Sequence, residues 1–293
     1  MEIFGRPLPA LASQIVLGLV NGSFYAMLSL GLAVIFGTLN IVNFAHGAFY
    51  MLGAFGAFFA LSVLDVNYWV ALLLVPIGMG LIGMAIERGL LQWLRGLDPL
   101  YGLLLTFGVS LILEGLLRDA YGSSGRSYPR PPALDGGWQL GFMFLPTSRA
   151  WVIGVSLVVC FATWFVIERT KLGAYLRAAT ENRALTQAFG INVPLLITLT
   201  FGFGVALAGL AGVLAATAVQ ITPLMGSNII IVVFAVVVIG GMGSILGSIV
   251  TGLGLGVIEG LTRVFYPEAS ATVVFVIMAI VLLVRPAGLF GRA

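Results

Sequence analysis

The side chains able to do chemistry are few, and they fall where a polar group is costly. Asn40, Asn43, His46 and Gly47 lie in one segment, Asn40-Ile-Val-Asn43-Phe-Ala-His46-Gly47 continuing to Gly53, inside a tract with no charged residue between Arg6 and Asp65. Burying Asn or His in hydrocarbon is expensive unless the group is paired, so such residues face a cavity, a partner or an interface. Asn40, Asn43 and Gly47 are spaced by three and then four positions, which on a helix would place them on one face. Two readings stand. These groups cap and hydrogen-bond the end of a broken helix, or they line a substrate route or gate. Asn21 and Tyr25 form a thinner polar stripe in the preceding apolar run, with the same two readings.

Two acids also sit within apolar runs. Glu114 precedes Arg118 by four residues and Glu259 precedes Arg263 by four, the favourable helical order for an ion pair. Pairs of this kind sit at the interface with the arginine snorkelling outward. A proton-relay acid would stand unpaired at mid-span, so the pairing argues against a proton-driven carrier. His46 is the only histidine and Cys160 the only cysteine, so no metal ligand set is expected. A phosphate loop ends in Gly-Lys and Ser or Thr, whereas the only lysine, Lys171, follows Thr170. With no paired catalytic carboxylates and no nucleophile elbow either, the chain is expected not to be an enzyme and to bind no cofactor of its own. If ATP drives it, the ATPase is another subunit.

The elements that must position these groups follow from charge. Of 293 residues only 14 are Lys or Arg and 11 Asp or Glu, 9% against about 25% in soluble domains, while 60% are hydrophobic. That excludes a water-soluble enzyme, a disordered tail and a nucleic-acid-binding module; a net charge of +3 without a basic run does not alter this. The 39 glycines suit helices packed closely in a bilayer. A crossing helix needs roughly 20 apolar residues. The tract between Arg6 and Asp65 has room for two spans and a broken or re-entrant piece, the first span being uncleaved. Further spans are predicted at 66–86 (kinked at Pro76), 100–117, 150–167, 195–219, 229–239, 245–261 and 270–284. The fold class is therefore an all-α polytopic membrane protein of eight to nine helices, some broken or re-entrant, forming one domain over 1–293. The apolar runs are continuous rather than alternating, so strands are not expected.

Sidedness follows from basic residues. Arg88, Arg95, Arg169, Lys171, Arg177, Arg183, Arg285 and Arg292 fall on one side, and Arg6, Arg118, Arg126, Arg130, Arg149 and Arg263 on the other. The positive-inside rule makes the first set cytoplasmic. The long outer connection, 119–149, is aromatic and Pro-rich, and caps a vestibule or meets a soluble partner. The inner connection, 168–194, carries good helix-forming residues over 178–189, with Gly190 placed to stop the helix and Pro194 to start the next span.

Small residues recur every fourth position: Gly18, Gly22 and Ala26; Gly204, Ala208 and Gly212; Gly252, Gly256 and Gly260. Such faces let helix backbones approach closely, within one subunit or against a partner. Each charge-free tract also holds a glycine-interrupted region, 37–53 and 240–247, as paired transporter repeats do.

Four segments carry a resemblance: Asn21-Gly-Ser-Phe-Tyr-Ala26 leading into 40–53; Arg177-Ala-Ala through Gly190-Ile-Asn-Val193; Ile239-Gly-Gly-Met-Gly-Ser244; and Arg285-Pro-Ala-Gly-Leu-Phe-Gly291. In this order they resemble the LivH-type permease of bacterial branched-chain amino acid ABC importers. The resemblance implies a multi-pass protein of the bacterial inner membrane, working with a second permease subunit, homologous or identical, two cytoplasmic ATPases that use ATP and Mg, and a periplasmic binding protein. It implies a coupling helix carrying Arg177, Ala178, Ala179, Glu181, Asn182 and Gly190. Arg177 stands where many importers have Glu, and Ala48 follows the His-Gly pair where some relatives have Glu. A urea or short-chain amide permease of the same family is the alternative. A stand-alone ion-coupled carrier or channel is the alternative of another class.

Overall fold

The computed structural model describes residues 2–3, 6–39 and 41–291. Eleven α-helices follow one another: α1 (Leu8–Leu39), α2 (Ala45–Ser62), α3 (Tyr68–Gly89), α4 (Pro99–Tyr121), α5 (Thr147–Arg169), α6 (Lys171–Glu181), α7 (Arg183–Ala188), α8 (Val193–Ala216), α9 (Met225–Gly240), α10 (Ile245–Phe265) and α11 (Val273–Val284). Seven of them are long and apolar enough to cross a membrane. The apolar helices α9 and α11 are shorter, at 16 and 12 residues. At about 1.5 Å per residue they reach roughly 24 and 18 Å, less than the ~30 Å hydrocarbon core. These nine apolar helices account for every predicted span, and none makes a barrel.

Burial is arranged as in a membrane protein. Most of α1, α2 and α8 is buried, whereas α3, α4 and α5 display Leu73, Leu104 and Val158 outward. An outward apolar face of this extent is stable only against lipid or another subunit. The centre is built on small residues. The α1 and α10 helices run antiparallel, with Gln14 beside Gly260, Gly18 beside Gly256 and Gly22 beside Gly252. Gly204 lies against Gly31 and Ile35 of α1, while Gly212 lies against Tyr50, Gly53 and Ala54 of α2. Ala208 between them is fully buried. All three small-residue stripes therefore pack inside this one chain.

Several boundaries differ from the sequence reading. The α3 helix runs through Pro76 to Gly89 and takes in Glu87, one residue past the predicted end of the span at 86. The eighth helix ends at Ala216 rather than 219, and α9 starts at Met225 rather than 229. A 3₁₀ turn at Pro267–Ala269 delays α11 to Val273. The expected helix over 178–189 is two helices, because Asn182 has extended backbone and its side chain accepts a hydrogen bond from the Leu185 N–H at 2.9 Å, capping α7. Four strands of two or three residues occur outside the apolar helices: β1 (Glu2–Ile3) with β2 (Arg6–Pro7), and β3 (Gly137–Gln139) with β4 (Phe144–Pro146). The second hairpin belongs to the 119–149 connection, which is ordered: Tyr128 and Leu134 are buried, and Arg126 pairs with Ile221 through backbone hydrogen bonds of 2.8 and 2.9 Å.

Candidate functional site

The first polar region is the break between α1 and α2. Helix α1 stops at Leu39, residues 41–43 are non-helical, and α2 begins at Ala45. Asn40 lies outside the described residues. Asn43 is thus not on a helical face with Gly47, because the backbone between them changes conformation. The break is held by neighbouring helices. Thr106 of α4 donates to the Val42 carbonyl at 3.3 Å and receives the Phe44 N–H at 3.2 Å. His46 is fully buried, with Nε2 3.0 Å from the Leu28 carbonyl of α1, which makes Nε2 the protonated nitrogen. Its Nδ1, and both side-chain polar atoms of Asn43, are buried without a protein partner. Asn43 therefore does not cap α2 with its side chain. Gly47 touches Gly226 at the start of α9, so closely that a Cβ on Gly47 would lie 3.0 Å from both the Gly226 carbonyl carbon and Ile230.

A second region lies at the far end of the α1–α10 pair. Arg263 binds Glu259 at 2.7 Å, and the Tyr25 hydroxyl donates to the other carboxylate oxygen at 2.8 Å. Glu114 and Arg118 pair at 2.7 Å on α4. Asn21 is half-buried one turn before Tyr25. In the connection at this end, burial raises the Tyr128 phenol above its ordinary value.

The third region is the opposite end of the bundle. Here α6 and α7 lie beside the ends of α1 and α5, the 241–244 turn and the C-terminal segment. Gly37 faces Gly243, so the two glycine-interrupted regions meet. The segment after α11 folds back on this turn: Leu289 and Phe290 donate backbone hydrogen bonds to Ile239 and Gly240 at 2.8 and 3.1 Å. A cleft of about 430 Å³ opens between these parts. At its rim Arg177 donates to the Ile167 carbonyl at 3.3 Å and reaches Glu168 at 3.4 Å. Arg183 reaches the Thr38 carbonyl at 3.5 Å. Ala178 and Glu181 are exposed and Ala179 is buried. Gly190 has φ +84°, a left-handed conformation suited to glycine, and Asn192 caps α8 by accepting from Leu195 at 3.1 Å.

Sequence reasoning missed one group here. Glu87 is fully buried, accepts a 2.6 Å hydrogen bond from Thr198 of α8, and is paired with Arg95. No helical spacing links these residues, so nothing local announced the pair. Among the described residues no cluster of His, Cys, Asp or Glu has the makings of a metal site. The polar groups are dispersed over three regions and assemble no catalytic constellation. What the arrangement offers is a broken helix at the core and, at one end, a helical surface whose Arg183 reaches the Thr38 carbonyl just before the break.

Residues 14–284 match the family described as "Branched-chain amino acid transport system / permease component". The chain belongs to this family. It is 33% identical to the high-affinity branched-chain amino acid transport system permease protein BraD of Pseudomonas aeruginosa, over 95% of each chain. The corresponding protein LivH of Escherichia coli K12 is 30% identical over 95% of each chain. A second E. coli K12 permease of the same system, LivM, is 29% identical over 90% of this chain and 67% of its own. No solved structure gives a significant match. The permease is thus a multi-pass membrane protein.

A prediction arises from the α6–α7 junction. Asn182→Ala is expected to remove the α7 cap at a cost of about 1 kcal/mol. Hydrogen exchange of 183–190 should rise in that variant, with α8 protection unchanged because Asn192 caps α8 independently.

Proposed function

We propose that this permease is the membrane subunit of a binding-protein-dependent ABC importer and carries branched-chain amino acids inward by ATP-driven alternating access. The observation that carries this is the family match over 14–284, joined to a helix pair displayed at one end of the bundle. Leu185 of α7 and Phe189, the residue just after that helix, are 56% and 78% exposed. Such residues on a basic, water-facing surface suit a hydrophobic groove on a soluble partner. In this reading α6–α7 is the coupling element, with Arg177, Ala178, Ala179, Glu181, Asn182 and Gly190 forming or shaping it. The partners are two cytoplasmic ATPases using ATP and Mg, a periplasmic binding protein, and a second permease. The likeness to both LivH and LivM of one organism favours a related, non-identical second permease. The location is the bacterial inner membrane, with the α6–α7 end cytoplasmic.

The polar break then belongs to the translocation route or its gate, with Asn43, His46 and Gly47 at its centre and Asn21 and Tyr25 toward the outer end. The Arg-paired acids speak against a stand-alone ion-coupled carrier, since Glu259 already has both Arg263 and Tyr25.

The test is uptake into proteoliposomes holding the full complex and its binding protein. ATP-dependent accumulation of leucine, isoleucine or valine is expected. Uptake of urea in their place would overturn the substrate, and ATP-independent uptake would overturn the mechanism. Phe189→Ala is expected to weaken ATPase docking by about 2 kcal/mol, roughly thirtyfold, measured by titration of the ATPase onto the permease.

A further inference from the structure

We propose that the cleft between α6 and the 241–244 turn binds a free zwitterionic α-amino acid, and that its occupancy restrains the motion of α6. The inference rests on α6–α7 being the surface the ATPases drive. It does not rest on which solute is carried.

The cleft has the dimensions and chemistry of a small-molecule site. Its volume of about 430 Å³ falls within the usual range of about 300–1,000 Å³, in which apolar walls are combined with a few placed polar groups. The walls are Val34 of α1, Ile167 of α5, Leu176 of α6, Ile245 of α10 and Phe290 of the C-terminal segment. The first four are buried, so these walls are fixed by packing on the bundle.

The charged groups are one carboxylate and one guanidinium; the hydroxyls of Thr38, Thr180 and Ser244, which also line the cleft, are each bonded to backbone nearby in sequence. Glu168 and Arg177 line the same cleft, their side chains are 44% and 45% exposed, and the closest N···O distance is 3.4 Å. An ion pair this long and this exposed contributes little, so opening it is cheap. A zwitterion entering between them replaces each charge by its like. Its ammonium meets the Glu168 carboxylate, and its carboxylate meets the forked donors of Arg177. The remaining wall mixes apolar side chains with these hydroxyls and with glycine backbone, so the ion pair, and not the wall, sets the class of ligand.

The consequence for motion follows from where the walls belong. Glu168 lies in the last turn of α5 and Arg177 on α6, while Val34 and Ile245 belong to α1 and α10, the glycine-packed pair. A ligand touching all four stabilises the arrangement in which α6 lies against that pair. It therefore opposes any state in which α6 moves away. The site opens at the α6–α7 end, so it responds to the amino acid accumulated on that side.

The experiment uses the assembled permease–ATPase complex in lipid nanodiscs without binding protein. Equilibrium dialysis with radiolabelled leucine is expected to show saturable binding at millimolar concentrations, and basal ATPase activity is expected to fall as the site fills. Leucinamide and 4-methylpentanoate, each lacking one charge, should bind at least about tenfold more weakly. Glu168→Gln should abolish the preference for leucine over 4-methylpentanoate. Thr180→Trp, at an exposed position lining the cleft, should remove binding of both while the complex stays intact by size-exclusion. Absence of saturable leucine binding, or binding unchanged in Thr180→Trp, overturns the proposal. Uptake of leucine without cleft binding sinks this inference alone. Cleft binding without leucine uptake sinks the transport reading alone.

Discussion

Gly256→Leu is expected to abolish accumulation of folded permease in the membrane, while Gly254→Leu, two residues away on the same helix, is expected to be tolerated. At Gly256 a Cβ would run into the backbone of Gly18 and Gly22; at Gly254 nothing lies within 4 Å. The obstruction at 256 is main chain, which has no rotamer to change. Accommodating the side chain therefore requires α1 and α10 to separate along their length, and the loss should exceed the ~1–3 kcal/mol of ordinary overpacking. Gly252 and Gly18 face the same kind of obstruction, since a Cβ at Gly252 would lie 2.6 Å from the Ala26 Cα and one at Gly18 would lie 2.5 Å from the Gly256 carbonyl oxygen. Fluorescence-detected size-exclusion of a tagged permease checks the contrast. Equal peaks for the two variants would remove the α1–α10 contact from any account of stability.

Arg95→Leu is expected to destabilise the complex by about 3–5 kcal/mol, because it leaves a buried carboxylate with a single neutral partner. Glu87 is fully buried and would retain only the Thr198 hydroxyl at 2.6 Å. The double replacement Glu87→Leu with Arg95→Leu should recover most of the loss, since no uncompensated charge then remains. Thermal unfolding of the three variants gives the coupling energy directly, and additive losses would deny that the pair acts as a unit. Thr198 stands one helical turn past Pro194, at the root of α8 where the α6–α7 connection ends. The triple contact therefore fastens α3 to the place where the α6–α7 helices return to the bundle. ATPase-stimulated uptake should fall in Arg95→Leu even at temperatures where the complex is folded.

Why some of this was legible and some not is a matter of range. Continuous apolar runs announce helices because every backbone group in lipid is satisfied within the segment, so seven of the nine apolar helices were placed within a few residues, while the tract holding α1 and α2 was read only as room for two spans and a broken piece. The Glu114–Arg118 and Glu259–Arg263 pairs were legible because helical spacing alone brings them together. Tyr25 was singled out as polar, but its partner Glu259 lies 234 positions away and no local pattern names it. The same holds for Glu87 with Thr198, 111 positions apart, and for Thr106 on the α1–α2 break. The glycine stripes were visible as stripes, but which stripe meets which is decided by the packing of whole helices. At 178–189 the helix-forming composition concealed a break, because one capping asparagine, Asn182, outweighs several favourable propensities on either side of it.

The two short apolar helices have a consequence for the lipid itself. At roughly 18 Å, α11 falls about 12 Å short of a typical hydrocarbon core. Its last two residues, Leu283 and Val284, are 85% and 80% exposed. Hydrophobic mismatch of this size is relieved by thinning the adjacent leaflets, at a fraction of a kcal/mol per Å. The permease is therefore expected to thin the bilayer along its α11 flank, drawing headgroups and water toward the midplane there. Lipid chain length should therefore act on this permease as a tuning parameter, with shorter acyl chains matching that flank.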